Sequence, residues 1–330
     1  MGSISRRGLL LAATALAMPR VACPQAARKY HLCILDSTGR LTAPYYVAFD
    51  ERLRARGFVE GRNLVISERT SEGRIERLPA LARELSHETC DVFVAPGNEA
   101  NLVALERETK DTPIVIIAVD YDPQSTGQVL NLARPGGRIT GVSAVQTVLP
   151  AKRLELLKEL LPKVRRIAVL SDSESTGQLE VARAGAENLG LELQVLEFKR
   201  APYDYKSAFD EAKRKRAEAL LALGSANFVP ARPLITQLAA THRLPSIFHH
   251  SVWAEAGGLM SYGPNFSDVF SQAAEKVARI FQGAKPADMP IEQPTKFELV
   301  INSRTARAIG VTIPPSLLLR ADRMIDEAGR

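Results

Sequence analysis

Short runs of aliphatic and β-branched residues alternate with amphipathic stretches along most of this chain, and that alternation restricts its fold more than any other feature. The runs Val92–Ala95, Ile114–Val119 and Ala219–Leu223 are wholly apolar. Strands of that kind are buried on both faces, as in a parallel sheet whose crossovers are helices. The stretch from Leu132 to Leu161 divides the pattern. Arg134-Pro135-Gly136-Gly137 is a turn-rich break and Ile139–Val142 is one more short apolar run. After a polar linker to Pro150, a helix carries Leu154, Leu157, Leu160 and Leu161 on one face. The expectation is an α/β protein of two doubly wound, Rossmann-like domains with a hinge and a ligand cleft between the facing ends of their sheets.

A chain of 330 residues is long enough for two such cores. The formal net charge is +6, but Arg6, Arg7 and Arg20 fall in a segment that reads as a leader, which leaves the mature chain near +3. The most basic run, Lys213–Arg216, sits at the end of a predicted helix, where cations suit the helix dipole. It lacks the interleaved aromatics of a nucleic-acid surface, so no nucleic-acid partner is expected.

At the N-terminus, Arg6-Arg7 precedes an apolar run that continues to Met18. This is the form of an export signal, with an arginine pair of the twin-arginine kind. The run is shorter than the roughly 20 residues of a spanning helix. Cleavage is expected near Ala26 or Ala27, making residues 1–27 a signal peptide and the mature protein periplasmic. Val21-Ala22-Cys23 hints at a lipoprotein site, but Arg20 stands where such sites want an aliphatic residue. Cys33 falls in the first predicted strand and Cys90 just before the third. Because neighbouring parallel strands rarely offer disulfide geometry, both are expected to be free thiols.

The predicted strands end in short polar loops. Ser37, Thr38, Asn98, Asp120, Tyr121, Gln146, Asp172, Ser173, Ser225, His249 and Tyr262 lie in such loops or beside them, and they are the candidate ligand-binding residues. Hydroxyls, amides and helix N-termini there suit a small polar or zwitterionic molecule. Asp120 or Asp172 could hold an ammonium group, and Tyr121, Tyr262 or Trp253 could cover an apolar part. Asn98 could equally cap the helix that follows it. The helix after Pro44 is expected to bury Val47, Phe49 and Leu53. His249 and His250 are adjacent, and as strand neighbours they would point to opposite sides, which argues against a shared metal. Dinucleotide, P-loop and nucleophile-elbow motifs are missing, and no Cys/His spacing suits zinc. Neither an enzyme nor a cofactor is expected.

Longer segments carry a resemblance. They are Gly57-Phe58-Val59-Glu60-Gly61-Arg62-Asn63-Leu64, Leu132–Gly137, Lys152–Lys158, Glu255–Gly263, Gln293–Asn302 and Ile313–Asp322. In this order they resemble the substrate-binding proteins of ABC transporters, in the family that includes tryptophan and other aromatic amino-acid binders. The resemblance implies a type 1 periplasmic-binding fold with three hinge crossings and ligand in the cleft. It also implies that the helix after Tyr262 packs back on the first domain before Phe297–Ile301 rejoin the second. The domains would then be residues 28–142 with about 264–292, and residues 143–263 with about 293–330. Where the family commonly has a Gly-Asp-Pro turn, this chain has Asp120-Tyr121-Asp122-Pro123. The leading expectation is a monomeric extracytoplasmic receptor that carries a small solute to a membrane permease. The alternatives are a two-domain Rossmann-like enzyme such as a transferase, or a ligand-sensing receptor on the same fold.

Overall fold

The computed structural model describes residues 28–40, 43–144, 146–200 and 202–326. The expected leader, with Arg6, Arg7 and Cys23, lies outside the described residues.

The first sheet holds β1 (Tyr30–Asp36), β2 (Leu64–Thr70), β3 (Val92–Gly97), β4 (Ile114–Ala118) and β5 (Ile139–Ser143). Its order is β2-β1-β3-β4-β5, and every pairing is parallel. The crossover helices are α1 (Tyr46–Ala55), α2 (Leu78–Ser86) and α3 (Glu99–Glu108). All five residues of β4 are buried, as its unbroken apolar run requires between two neighbours.

The chain then enters the second lobe through α4 (Pro150–Leu160). There follow β6 (Arg166–Asp172), α5 (Thr176–Leu189), β7 (Glu192–Phe198), α6 (Tyr205–Arg214), β8 (Ala219–Ala222), α7 (Arg232–Thr241), β9 (Ser246–Phe248), α8 (Ser251–Glu255) and β10 (Met260–Pro264). The parallel strands β7-β6-β8-β9-β10 repeat the order of the first sheet. Each sheet therefore reverses direction at one point, and ligands of open α/β sheets bind in the crevice outside that point.

The remaining chain crosses twice more. The long helix α9 (Phe266–Phe281) leaves the second sheet and returns to the first lobe. Its apolar face, which includes Phe266, Val269, Phe270, Ala273 and Val277, shares one core with Phe49, Leu53, Val115 and Ile117. Residues 289–292 then run beside the outer edge of β5. Ser143 donates its backbone N–H to the Glu292 carbonyl at 2.8 Å, and the Thr140 hydroxyl donates to the Met289 carbonyl at 2.8 Å. Lys276, almost fully buried on α9, donates to Glu292 Oε1 at 2.9 Å and holds this segment in place. Finally β11 (Phe297–Asn302) pairs antiparallel with β10. After α10 (Ser303–Ile309) and α11 (Pro315–Arg320), β12 (Arg323–Ile325) completes the second sheet.

Three local expectations are corrected. Cys33 and Cys90 are not free thiols: they form a disulfide with a Cα–Cα distance of 5.9 Å. Cys90 does lie just ahead of β3, as expected, but being outside the strand ladder it is not subject to the offset of paired parallel strands, and that inference fails. On α1 the buried residues are Tyr46, Phe49 and Leu53, while Val47 is exposed. Asn98 precedes α3 but makes no side-chain capping bond, and its amide nitrogen and oxygen are both buried without partners among the described residues.

Candidate ligand-binding cleft

A cavity of about 370 Å³ lies where the carboxyl ends of the two sheets face each other. Its size falls at the small end of the ~300–1,000 Å³ typical of small-molecule sites. The first lobe contributes the end of β1 (Asp36, Ser37, Thr38), the lead-in to α1 (Pro44, Tyr45), Gly97 at the end of β3, and Val119 and Asp120 after β4. From the second lobe come Ser225 after β8, Arg232 opening α7, and His249, His250 and Trp253 around α8. Phe266 and Phe270 reach the cavity from the returning α9.

One part of this cavity is an aromatic chamber. Tyr45 lies 4.3 Å from Phe270 and 5.5 Å from His250, ring centre to ring centre, and His250 is 4.2 Å from Phe266. Trp253 stacks on Phe248 at 4.9 Å with an interplanar angle of 10°. Such rings offer flat apolar contact at little entropic cost.

The other part is acidic. Asp120 meets the opposite lobe directly: Gln178 Nε2 donates to its Oδ1 at 3.2 Å and to the Gly224 carbonyl at 2.9 Å. Gly224 permits this approach, because a Cβ there would stand 3.0 Å from Asp120 Oδ1. Burial, reinforced by the nearby carboxylates of Glu174 and Asp172, pushes the Asp120 carboxyl up to about 8, against a smaller opposing effect of Arg153. Behind Ser225, Asp172 Oδ2 accepts from the Ser225 hydroxyl at 2.6 Å and from Asn227 Nδ2 at 2.9 Å. Asp36 is also held above the usual carboxylate range by burial, although it accepts from Tyr46 at 2.8 Å and from the Thr38 backbone at 3.0 Å.

The cleft floor is a polar knot at the crossings. Arg153, fully buried on α4, donates Nε to the Tyr262 carbonyl at 2.8 Å and Nη2 to Gln146 Oε1. Gln146 in turn donates to the His249 carbonyl at 3.1 Å. Gly263 lies against the same carbonyl, where a Cβ would come within 2.2 Å of the oxygen. Burial lowers the Arg153 guanidinium to about 9, with Asp120 acting in the opposite direction.

Of the sequence candidates, Ser37, Thr38, Asp120, Ser225 and His249 line the cavity. Gln146 and Asp172 stand behind it and orient wall residues, as the bonds above describe. Asn98 is buried beside Gly97 without lining the cavity, and Ser173 is exposed at the turn after β6. Tyr121 turns away from the cleft into the core that contains Ile116, Leu102 and Leu105. The Tyr262 ring faces Phe297 at 6.1 Å, outside the cavity. His249 and His250 do not diverge as strand neighbours would, because β9 ends at Phe248 and both rings reach the cleft. Asp36, Tyr45, Arg232, His250, Phe266 and Phe270 were not among the candidates. Asp36 and His250 each adjoin one that was, and that adjacency is the only sequence signal that could have found them.

Comparisons with known proteins agree with this architecture. Residues 42–325 match the model of a family described as ABC transporter substrate binding protein. A "Tyrosine-binding protein" of Clostridioides difficile (strain R20291) is 23% identical over 262 residues, covering 79% of this chain and 75% of that protein. A conserved domain protein of Vibrio cholerae O1 biovar eltor superposes with a TM-score of 0.81 at 26% identity, covering 90% of this chain and all of the other. A domain from Streptococcus pneumoniae solved in complex with L-Trp has a TM-score of 0.78 at 24% identity, with coverage of 90% and 100%. With two doubly wound lobes, a cleft at their switch points and a family match across nearly all the described chain, this protein belongs to the ABC transporter substrate binding protein family.

Proposed function

We propose that this protein is a periplasmic receptor whose solute is a small amphiphile with a cationic nitrogen and an apolar, preferably aromatic, body, of which an aromatic amino acid is the leading example. The observation that carries this reading is Asp120. Its carboxyl is crowded by two others across the cleft and, among the described residues, has no cationic partner in hydrogen-bond contact. A ligand ammonium would relieve that crowding and draw the lobes together. The chamber of Tyr45, Trp253, Phe266 and Phe270 would cover the apolar body. The L-Trp complex and the tyrosine-binding relative, both distant, agree with this chemistry. Because solute contacts both lobes only when they are closed, binding favours the closed form. That form would be presented, as a monomer, to a permease in the cytoplasmic membrane, after export through the leader at residues 1–27.

The test is a thermal-shift and calorimetric panel on residues 28–330, using aromatic, aliphatic and acidic amino acids alongside simple aromatic amines. Aromatic amines and amino acids should stabilise the protein, while acidic amino acids should not. Selective binding of acidic amino acids would refute the assignment.

A further inference from the structure

Two side chains at the aromatic end of the cleft have donor groups that find no acceptor among the described residues. His250 caps α8 by accepting the Val252 backbone N–H at its Nδ1, at 3.0 Å. A backbone N–H can only donate, so Nδ1 carries no proton and the neutral ring must carry it on Nε2. Burial, together with Arg232 and Arg323, keeps this ring neutral, down to about 3. Its Nε2 is buried and has no hydrogen-bond partner among the described residues. Arg232 Nε is likewise buried without a partner. Arg232 is the only cationic side chain on the cavity wall, and it makes no ion pair among the described residues. Both residues line the same cavity and interact electrostatically. Buried donors are seldom left unsatisfied, because each such group costs its full desolvation.

We propose that Arg232 and His250 form a carboxylate-binding corner of the cleft, so that the preferred solute carries an anionic oxygen group as well as a cationic nitrogen. The inference rests on the cleft being the solute site and deepens that reading. A planar carboxylate offers two acceptor oxygens, one for each N–H, and its charge pairs with the guanidinium. His250 contributes a neutral donor that stays fixed in one tautomer, so its bond survives across the physiological pH range. Asp36 and Asp120 line the cavity from the first lobe, where an ammonium group draws the proton off Asp120 and pairs with it, so a zwitterion is oriented in one direction only.

The experiment uses benzoate and benzamide, which fill an aromatic chamber alike and differ in charge. Nitrogen-15 spectra of the imidazole rings, with His250→Asn for assignment, should find His250 as the Nε2–H tautomer between pH 5 and 8. Asn at this position can still accept the Val252 N–H, so the helix cap is kept. Benzoate should move the His250 resonance with an apparent affinity about tenfold or more above that of benzamide. Arg232→Gln should erase the preference, and Asp120→Asn should retain it. An Nδ1–H tautomer, equal responses to the two probes, no response to either, or a preference that survives Arg232→Gln would overturn the proposal. Failure of aromatic amines to bind would refute the cationic part of the functional reading and leave this measurement intact.

Discussion

Replacing Asp120 by Asn should produce an affinity loss that depends on pH. With a carboxyl at about 8, the ligand-free protein holds this proton in roughly nine molecules of ten at pH 7. A cationic solute lowers that pKa, so binding at pH 7 should release nearly one proton. Affinity should therefore rise by about tenfold per pH unit from pH 6 towards 8, then level off, each unit being worth about 1.4 kcal/mol. In Asp120→Asn the slope and the proton release should both vanish. At pH 8.5 the variant should lose about 1.5–3 kcal/mol, the scale of a charge-assisted hydrogen bond. At pH 6, where the wild-type carboxyl is already neutral, the loss should shrink towards zero. Stability without ligand runs in the opposite direction. Between about 4 and 8 the folded chain keeps a proton that the unfolded chain has released, so this carboxyl's contribution to stability declines as pH rises. On the hinge-closing reading proposed above, the cleft opens and rehydrates Asp120 without unfolding, so most of that cost should appear as lobe separation, not as a lower melting temperature. Calorimetry in buffers of different ionisation enthalpy, beside scattering of the ligand-free protein at pH 6 and 8.5, reads both effects. A binding enthalpy independent of buffer at pH 7, or an equal loss at both pH values, would refute the reasoning.

Three further outcomes can be checked. Cys33→Ala with Cys90→Ala should lower stability by about 4 kcal/mol, from the loop entropy of a 57-residue separation, measured by denaturant unfolding against the oxidised wild type; an unchanged midpoint would mean the bond is not formed. Trp253 is the only tryptophan and lines the cavity, so its emission should change on solute binding, and Trp253→Phe should remove the signal while retaining most of the affinity in calorimetry. Gly263→Ala should cost several kcal/mol or displace the crossing after β10, because its Cβ has no room beside the His249 carbonyl; a wild-type melt with wild-type affinity would contradict that packing.

The sequence by itself determined the elements and their order, since those depend on local periodicity. Ile114–Ala118 is apolar enough that it had to be an interior strand, and Gly283 past the end of α9 and the polar loops after each strand marked the boundaries. It also determined which end of each strand is polar, and so five of the cleft residues. What it could not determine is which way a loop side chain turns. Asp120 and Tyr121 are neighbours just past the end of β4, yet one faces the cleft and the other enters the core. His249 and His250 are neighbours beyond a strand end as well, yet both reach the cleft. Phe266 and Phe270 read as ordinary core residues of an amphipathic helix, and only the return of α9 to the first lobe brings them to the cavity. The Cys33–Cys90 bond is of the same kind, since it depends on a turn geometry that residue spacing does not encode. Tertiary structure thus decided the partners: contacts between residues far apart in the chain follow from how the two sheets pack and face each other, and no window of local sequence contains that information.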